Sequence, residues 1–142
     1  MIATSLGLDR TFLAVISNAF TEEKLEDGSE RVVMKLPPVL APIKAAILPL
    51  IKKDGMPEKA REILDRLKED FMCQYDEKDS PGKRYRRQDA IGTPYCITID
   101  GQTLEDNTVT IRDRDTMEQT RIVIDNIEKV VLEKINMRHL LK

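Results

Sequence analysis

Two adjacent prolines, Pro37-Pro38, precede a stretch in which short apolar runs of strand type alternate with segments of helical spacing, and that alternation most restricts the fold. Residues 44–50 form a near-continuous apolar run of the kind buried on both faces of a sheet. Asp54-Gly55 turns the chain, and Pro57 opens a helix whose apolar face is Ala60, Ile63, Leu64, Leu67 and Phe71. Residues 72–75 read as a short strand. Ser80 as N-cap and Pro81 as first helical residue start a second helix, which Gly92-Thr93-Pro94 ends. Residues 95–100 alternate as a strand. Residues 108–112 and 119–123 flank a turn at 113–116 too short for a crossover, so they form an antiparallel hairpin. Ile124, Ile127, Val130, Val131, Leu132 and Ile135 give a closing helix. The order β-α-β-α-β-β-β-α predicts an α/β fold with a mixed sheet of about five strands flanked by three helices.

The residues before the prolines read differently. Phe12, Leu13, Val15, Ile16, Ala19 and Phe20 recur at helical spacing, giving an amphipathic helix to about residue 20. Residues 21–31 read as a polar loop around Asp27-Gly28-Ser29, and 32–36 as a short strand cut off by the prolines. This segment has an apolar face and little of its own to bury it against. The expected division is therefore 1–37, a short helical remnant of a preceding domain with its linker, and 38–142, a complete domain.

With 41% hydrophobic residues but no Trp, three Tyr and three Phe, the core must be aliphatic. The longest apolar stretch, 43–51, is broken by Lys44 and Pro49 and is far short of the roughly 18–20 residues a membrane helix needs. No secretory pattern opens the sequence. Cys73 and Cys96 lack metal-ligand spacing and are expected to be reduced thiols of a cytosolic protein. His139, near the C-terminus beside Leu140 and Leu141, is not expected to be catalytic. No Gly-rich phosphate loop follows either early strand, which counts against a small-molecule-binding α/β domain.

Against a formal net charge of -2, four cations crowd into five positions at Lys83, Arg84, Arg86 and Arg87. In the first turn of a helix Lys83 and Arg84 oppose the dipole, by about 0.3–1 kcal/mol each if exposed. Lys83 with Arg86 and Arg87 adds like-charge pairs at about 0.2–0.5 kcal/mol apiece. One reading keeps these charges for an anionic partner. The other is a solvated helix face neutralised by Asp76, Glu77, Asp79 and Asp89.

Three segments carry a resemblance. Thr4-Ser5-Leu6-Gly7-Leu8-Asp9-Arg10 resembles the third signature motif of class II aminoacyl-tRNA synthetases in the form found in the glycyl enzymes. Residues 42–50 resemble the first strand of the class IIa anticodon-binding domain. Residues 82–94 and 104–119 resemble its second helix and hairpin, again in glycyl-tRNA synthetases. The match is collinear over almost the whole chain. It implies the end of a class II catalytic domain followed by a complete anticodon-binding domain. The other class II motifs, ATP binding with Mg, glycine binding and the surface of a homodimer would lie in the missing part. The protein would be cytoplasmic, would attach glycine to tRNA(Gly) with ATP, and would not be active as this piece alone, for which no cofactor or metal is expected. The resemblance assigns Arg10 to the ATP phosphates and Ser5, less directly, to bound glycine. Where the family usually has a glutamate two positions before that serine this chain has Ala3, so amino-acid recognition is not carried over. An alternative is a free-standing adaptor or accessory subunit of the same fold; an ATP-binding arginine is unneeded there.

The same resemblance points to tRNA(Gly), whose anticodons end in two cytosines with edges accessible in an unstacked loop. The exocyclic amine of cytosine suits a carboxylate and its ring acceptors suit Arg or Lys. The residues expected to bind are Lys83, Arg84, Arg86, Arg87 and Asp89 on the basic helix, Glu105 before the hairpin, and Arg112, Asp113 and Arg114 on it. Strand alternation would send Arg112 and Arg114 to one face and Asp113 and Asp115 to the other. Tyr85 is either a stacking partner or a core tyrosine.

Overall fold

A computed structural model describes residues 3–141. Its elements in chain order are α1 (Leu8–Ala19), β1 (Phe20–Lys24), β2 (Glu30–Met34), β3 (Ala45–Pro49), α2 (Met56–Leu67), β4 (Cys73–Tyr75), α3 (Pro81–Ile91), β5 (Tyr95–Ile99), α4 (Gly101–Asp106), β6 (Thr108–Asp113), β7 (Gln119–Val123) and α5 (Ile127–Lys134). The sheet runs β4-β3-β5-β6-β7. Its first three strands are parallel, and β6 and β7 add to β5 as an antiparallel hairpin. The mixed five-stranded α/β sheet is thus as the sequence pattern implies.

The continuous apolar run of β3 is explained by its central place. Ala45 and Ile47 face a core built with Ile97, Ile99, Val109 and Ile111 and covered by Met56, Ala60, Ile63 and Leu67 of α2 and Ile127 and Val131 of α5. Ala46 and Leu48 point to the opposite face, where they pack with Cys96 and Tyr85 of α3. Each fully buried branched side chain contributes about 1.5–3 kcal/mol. Cys73 and Cys96 are free thiols whose burial pushes both pKa values up to about 12.

Three local readings are corrected. The polar stretch at 21–31 is not a loop throughout: Phe20–Lys24 pairs antiparallel with Glu30–Met34, because Thr21, Glu23 and Leu25 alternate inward across a tight turn at Asp27-Gly28. The closing helix begins as a 3-10 turn at Ile124–Asn126. Between β5 and β6 lies the unanticipated α4, started by a capping box in which Asp100 accepts from the Thr103 backbone N–H at 3.0 Å while Thr103 Oγ1 accepts from the Asp100 N–H at 3.1 Å.

Asp100 also receives both terminal nitrogens of Arg121, each at 2.8 Å. That guanidinium holds the Asp100 carboxyl well below the usual carboxylate range. A depressed native pKa contributes stability that is fully present above the unfolded value of about 4 and is lost as pH falls below that value through the lower native one. Asp100→Asn should therefore be less stable than the parent at pH 7, with the gap narrowing only as pH falls well below about 4. Urea titrations at pH 7 and at about pH 2 check this, and a gap unchanged between them would remove the ion pair from the account.

The β1–β2 hairpin packs against α3, burying Val33 and Leu36. Gly92 ends α3 at φ +87°, and a Cβ there would lie 3.1 Å from the Met34 carbonyl oxygen and 3.3 Å from Leu36 Cδ1. Both the backbone conformation and the close approach of the hairpin demand glycine.

Candidate nucleic-acid interface

Helix α3 carries the basic cluster, and its four cations have separate fates. Arg84 is buried and spent on carbonyl oxygens: it donates to Lys78 and Asp79 at 3.1 Å, to Asp79 again at 2.8 Å, to Glu77 at 3.3 Å, and to Pro49 at the end of β3. It ties the β4–α3 loop to the sheet. Arg87, half-buried, donates to Asp76 and Asp79 at 2.7 Å each. Arg86 is half-exposed and reaches back to 3.9 Å from the Asp89 carboxylate. Lys83 is exposed and has no ion-pair partner among the described residues. The neutralised helix face is thus right for Arg87, while Lys83 and part of Arg86 remain available to an anion.

Asp89, expected on the surface, is fully buried. Arg112 donates to its two oxygens at 2.8 and 3.1 Å, and Arg31, reaching in from β2, donates at 3.1 Å. Burial opposes the charge on Arg112, but the Asp89 hydrogen bonds and the attraction of its negative charge together outweigh it and raise its pKa. The Arg112 guanidinium lies 4.8 Å from the centre of the Tyr85 ring, whose hydroxyl is 2.7 Å from Thr98 Oγ1. Tyr85 is therefore largely a core residue. Arg114 is buried as well, donating to the Gly92 carbonyl at 2.8 Å and the Leu36 carbonyl at 2.7 Å, and pairing with Asp115 at 2.9 Å.

Strand alternation correctly separates Arg112 from Asp113, but the face it sends Arg112 and Arg114 to is the interior beneath α3. The expectation that Arg84, Asp89 and Arg114 line an accessible surface is corrected accordingly, and Arg112, 4% exposed, is largely withdrawn from it. Asp113, half-buried, accepts from the backbone N–H groups of Asp115 at 2.8 Å and Thr116 at 3.2 Å and so shapes the hairpin turn. Glu105 is exposed on α4. Ser5 and Arg10 are exposed, Arg10 in the first turn of α1.

Beside α3 the structure forms an open pocket of about 480 Å³ lined by Gly82, Lys83, Tyr85, Arg86, Arg112, Met117 and Gln119. Met117 and Gln119 were not singled out from the sequence, where they read as a turn end and a strand start. The one signal was their place in the segment resembling the family's hairpin.

A mixed β4-β3-β5-β6-β7 sheet with α3 over one face and the β6–β7 hairpin at its edge places the chain in the α/β class. The anticodon binding domain family matches residues 44–134, and the chain belongs to that family. It is similar to the glycine–tRNA ligase of Rhodopirellula baltica, 57% identical over 131 residues, which are 89% of this chain and 24% of the relative. It is similar also to the glycine–tRNA ligases of Alkaliphilus metalliredigens, 54% identical over 94% of this chain and 29% of the relative, and Borrelia hermsii, 50% identical over 95% and 30%. The chain thus spans less than a third of the length of these curated relatives.

Proposed function

We propose that this chain is the C-terminal, anticodon-binding part of a glycine–tRNA ligase, an enzyme that attaches glycine to tRNA(Gly) using ATP in the cytoplasm. The observation that carries the reading is the extent of the likeness. Alignments of 131 to 135 residues at 50% identity or more are longer than residues 44–134 can hold, so they run into the N-terminal segment. A domain that had only borrowed the fold would not need to keep that segment.

On this reading residues 1–37 are the tail of a class II catalytic domain with its linker, and 38–142 are the anticodon-binding domain. The exposed Leu8, Phe12 and Leu13 of α1 support it, since an apolar helix face of this kind is ordinarily covered. Ser5 and Arg10 do not by themselves make a site for ATP, Mg or glycine. Arg10 would contribute one guanidinium to the ATP phosphates, with the remaining donors and the homodimer surface supplied by the rest of the enzyme.

The anticodon loop would be met by the exposed Lys83 and the half-exposed Arg86 beside the pocket, with Arg87 giving what its carboxylate partners leave free. Titration with a glycine-tRNA anticodon stem-loop should show tighter binding than to a hairpin of the same stem with a scrambled loop. Equal affinities would overturn the reading.

A further inference from the structure

Resting on that reading for the identity of the RNA, we infer that Arg31 is a positioning residue for RNA binding: docked against α3 with the β1–β2 hairpin, it occupies Asp89 and so leaves Arg86 free for an RNA phosphate. One buried carboxylate serves three cations. Asp89 Oδ2 accepts from Arg31 at 3.1 Å and from Arg112 at 3.1 Å, and its Oδ1 accepts from Arg112 at 2.8 Å. Arg86 stands 3.9 Å from the same Oδ2, near enough to feel its charge and too far for a hydrogen bond. The two residues are neighbours at i, i+3 on one helix, so a small side-chain movement closes that gap once Arg31 gives up its place.

Arg31 itself is out of reach of a ligand. It is 2% exposed, and it also donates to Glu23 at 2.7 Å and to the Arg114 carbonyl at 2.9 Å. Any effect it has on RNA must pass through a neighbour. Arg112 comes from β6 of the sheet and is always beside Asp89, whereas Arg31 comes from β2 and arrives only when the hairpin packs on α3. The other carboxylate in the field of Arg86 is Asp27 at the hairpin turn. It is exposed and already accepts from the Ser29 N–H at 2.9 Å and hydroxyl at 2.6 Å, so it holds Arg86 only weakly.

The consequence is a coupling between the N-terminal segment and the basic face. With the hairpin docked, Arg31 and Arg112 satisfy Asp89, and Arg86 points its charge outward beside Lys83. With Arg31 absent, Asp89 lacks one of its donors in a dry site, and the nearest replacement is Arg86. The face then offers an anion one cation fewer. By linkage, RNA held through Arg86 favours the docked hairpin by the same factor that docking favours RNA.

The test titrates the intact chain and its variants with a glycine-tRNA anticodon stem-loop over a series of salt concentrations. Without RNA, it also follows by mass spectrometry how fast phenylglyoxal, an arginine reagent, modifies Arg86. Arg31→Met should flatten the salt dependence of binding by about 0.7, one phosphate contact on single-stranded RNA, although the residue is buried. Arg86→Met should flatten it by the same amount, and the double variant by no more than either single one, because both remove one contact. Arg86 should react several-fold more slowly in Arg31→Met than in the parent. Arg31→Lys, which keeps a cation opposite Asp89, should restore both readouts. Arg31→Gln, neutral but able to donate, should match Arg31→Met and takes its place if the methionine variant does not fold. An Arg31 that only supports the fold would lower the thermal midpoint and leave the salt dependence and the Arg86 reactivity unchanged, and that result overturns the proposal. Losses that add in the double variant overturn it too. A parent that binds the stem-loop no better than a scrambled hairpin would instead overturn the anticodon-binding reading, while the reactivity of Arg86, measured without RNA, still decides the role of Arg31.

Discussion

Asp89→Ala should destabilise the protein by about 3–5 kcal/mol, the cost of leaving a buried charge without its partner. The reason is arithmetic of charge in a dry site. Arg112 and Arg31 are 4% and 2% exposed, and both direct guanidinium nitrogens at the one carboxylate. Removing it leaves buried Arg112 without a carboxylate and Arg31 with Glu23 alone, and Asp89→Asn should do little better, since an amide supplies one oxygen and no charge. Arg31→Met is the informative contrast. It leaves Asp89 paired with Arg112 and fills part of the vacated volume, so its cost should be clearly smaller. With typical domain stabilities of about 5–15 kcal/mol, the Asp89 variants would stand near the edge of folding at 37 °C. Urea unfolding of the parent, Asp89→Ala, Asp89→Asn and Arg31→Met measures the order. Equal losses for Asp89→Ala and Arg31→Met would show that the carboxylate acts through Arg31 alone.

A chain beginning at residue 39 should still fold, but with about 3–6 kcal/mol less stability than the intact chain. It keeps the sheet, α2, α3 and α5, which supports its being a domain. It loses Val33 and Leu36, buried side chains contributing about 1.5–3 kcal/mol each. It also deprives Arg114 of its Leu36 acceptor and Asp89 of Arg31. Chemical denaturation with dispersed amide NMR signals would check both halves of the expectation. Unchanged stability would make the β1–β2 hairpin a mere appendage. A molten product would move it inside the domain and end the proposed division at Pro37-Pro38.

The order of elements was legible from residue spacing alone. An unbroken apolar run marks a strand covered on both faces, as residues 45–49 are, and a turn too short for a crossover forces the antiparallel addition of β6 and β7. The short helix α4 was hidden because its residues, Gly101–Asp106, show little apolar periodicity and are fixed by a cap rather than by packing. Strand β1 was hidden because three of its five residues are charged and pair only with β2.

For the site, the sequence determined that cations gather on one helix and one hairpin, since side-chain direction follows from the periods of helix and strand. It also carried the family, through motifs spread along the chain. Only the tertiary structure decided which of those charges reach solvent. Arg84 is turned inward by the carbonyl of Pro49, 35 residues away; Asp89 by Arg31, 58 residues away; and Arg114 by the carbonyl of Leu36, 78 residues away. Periodicity names the face a side chain occupies but not what lies opposite. A charge can be buried only where distant segments bring it a partner, and that pairing exists only once the chain has folded.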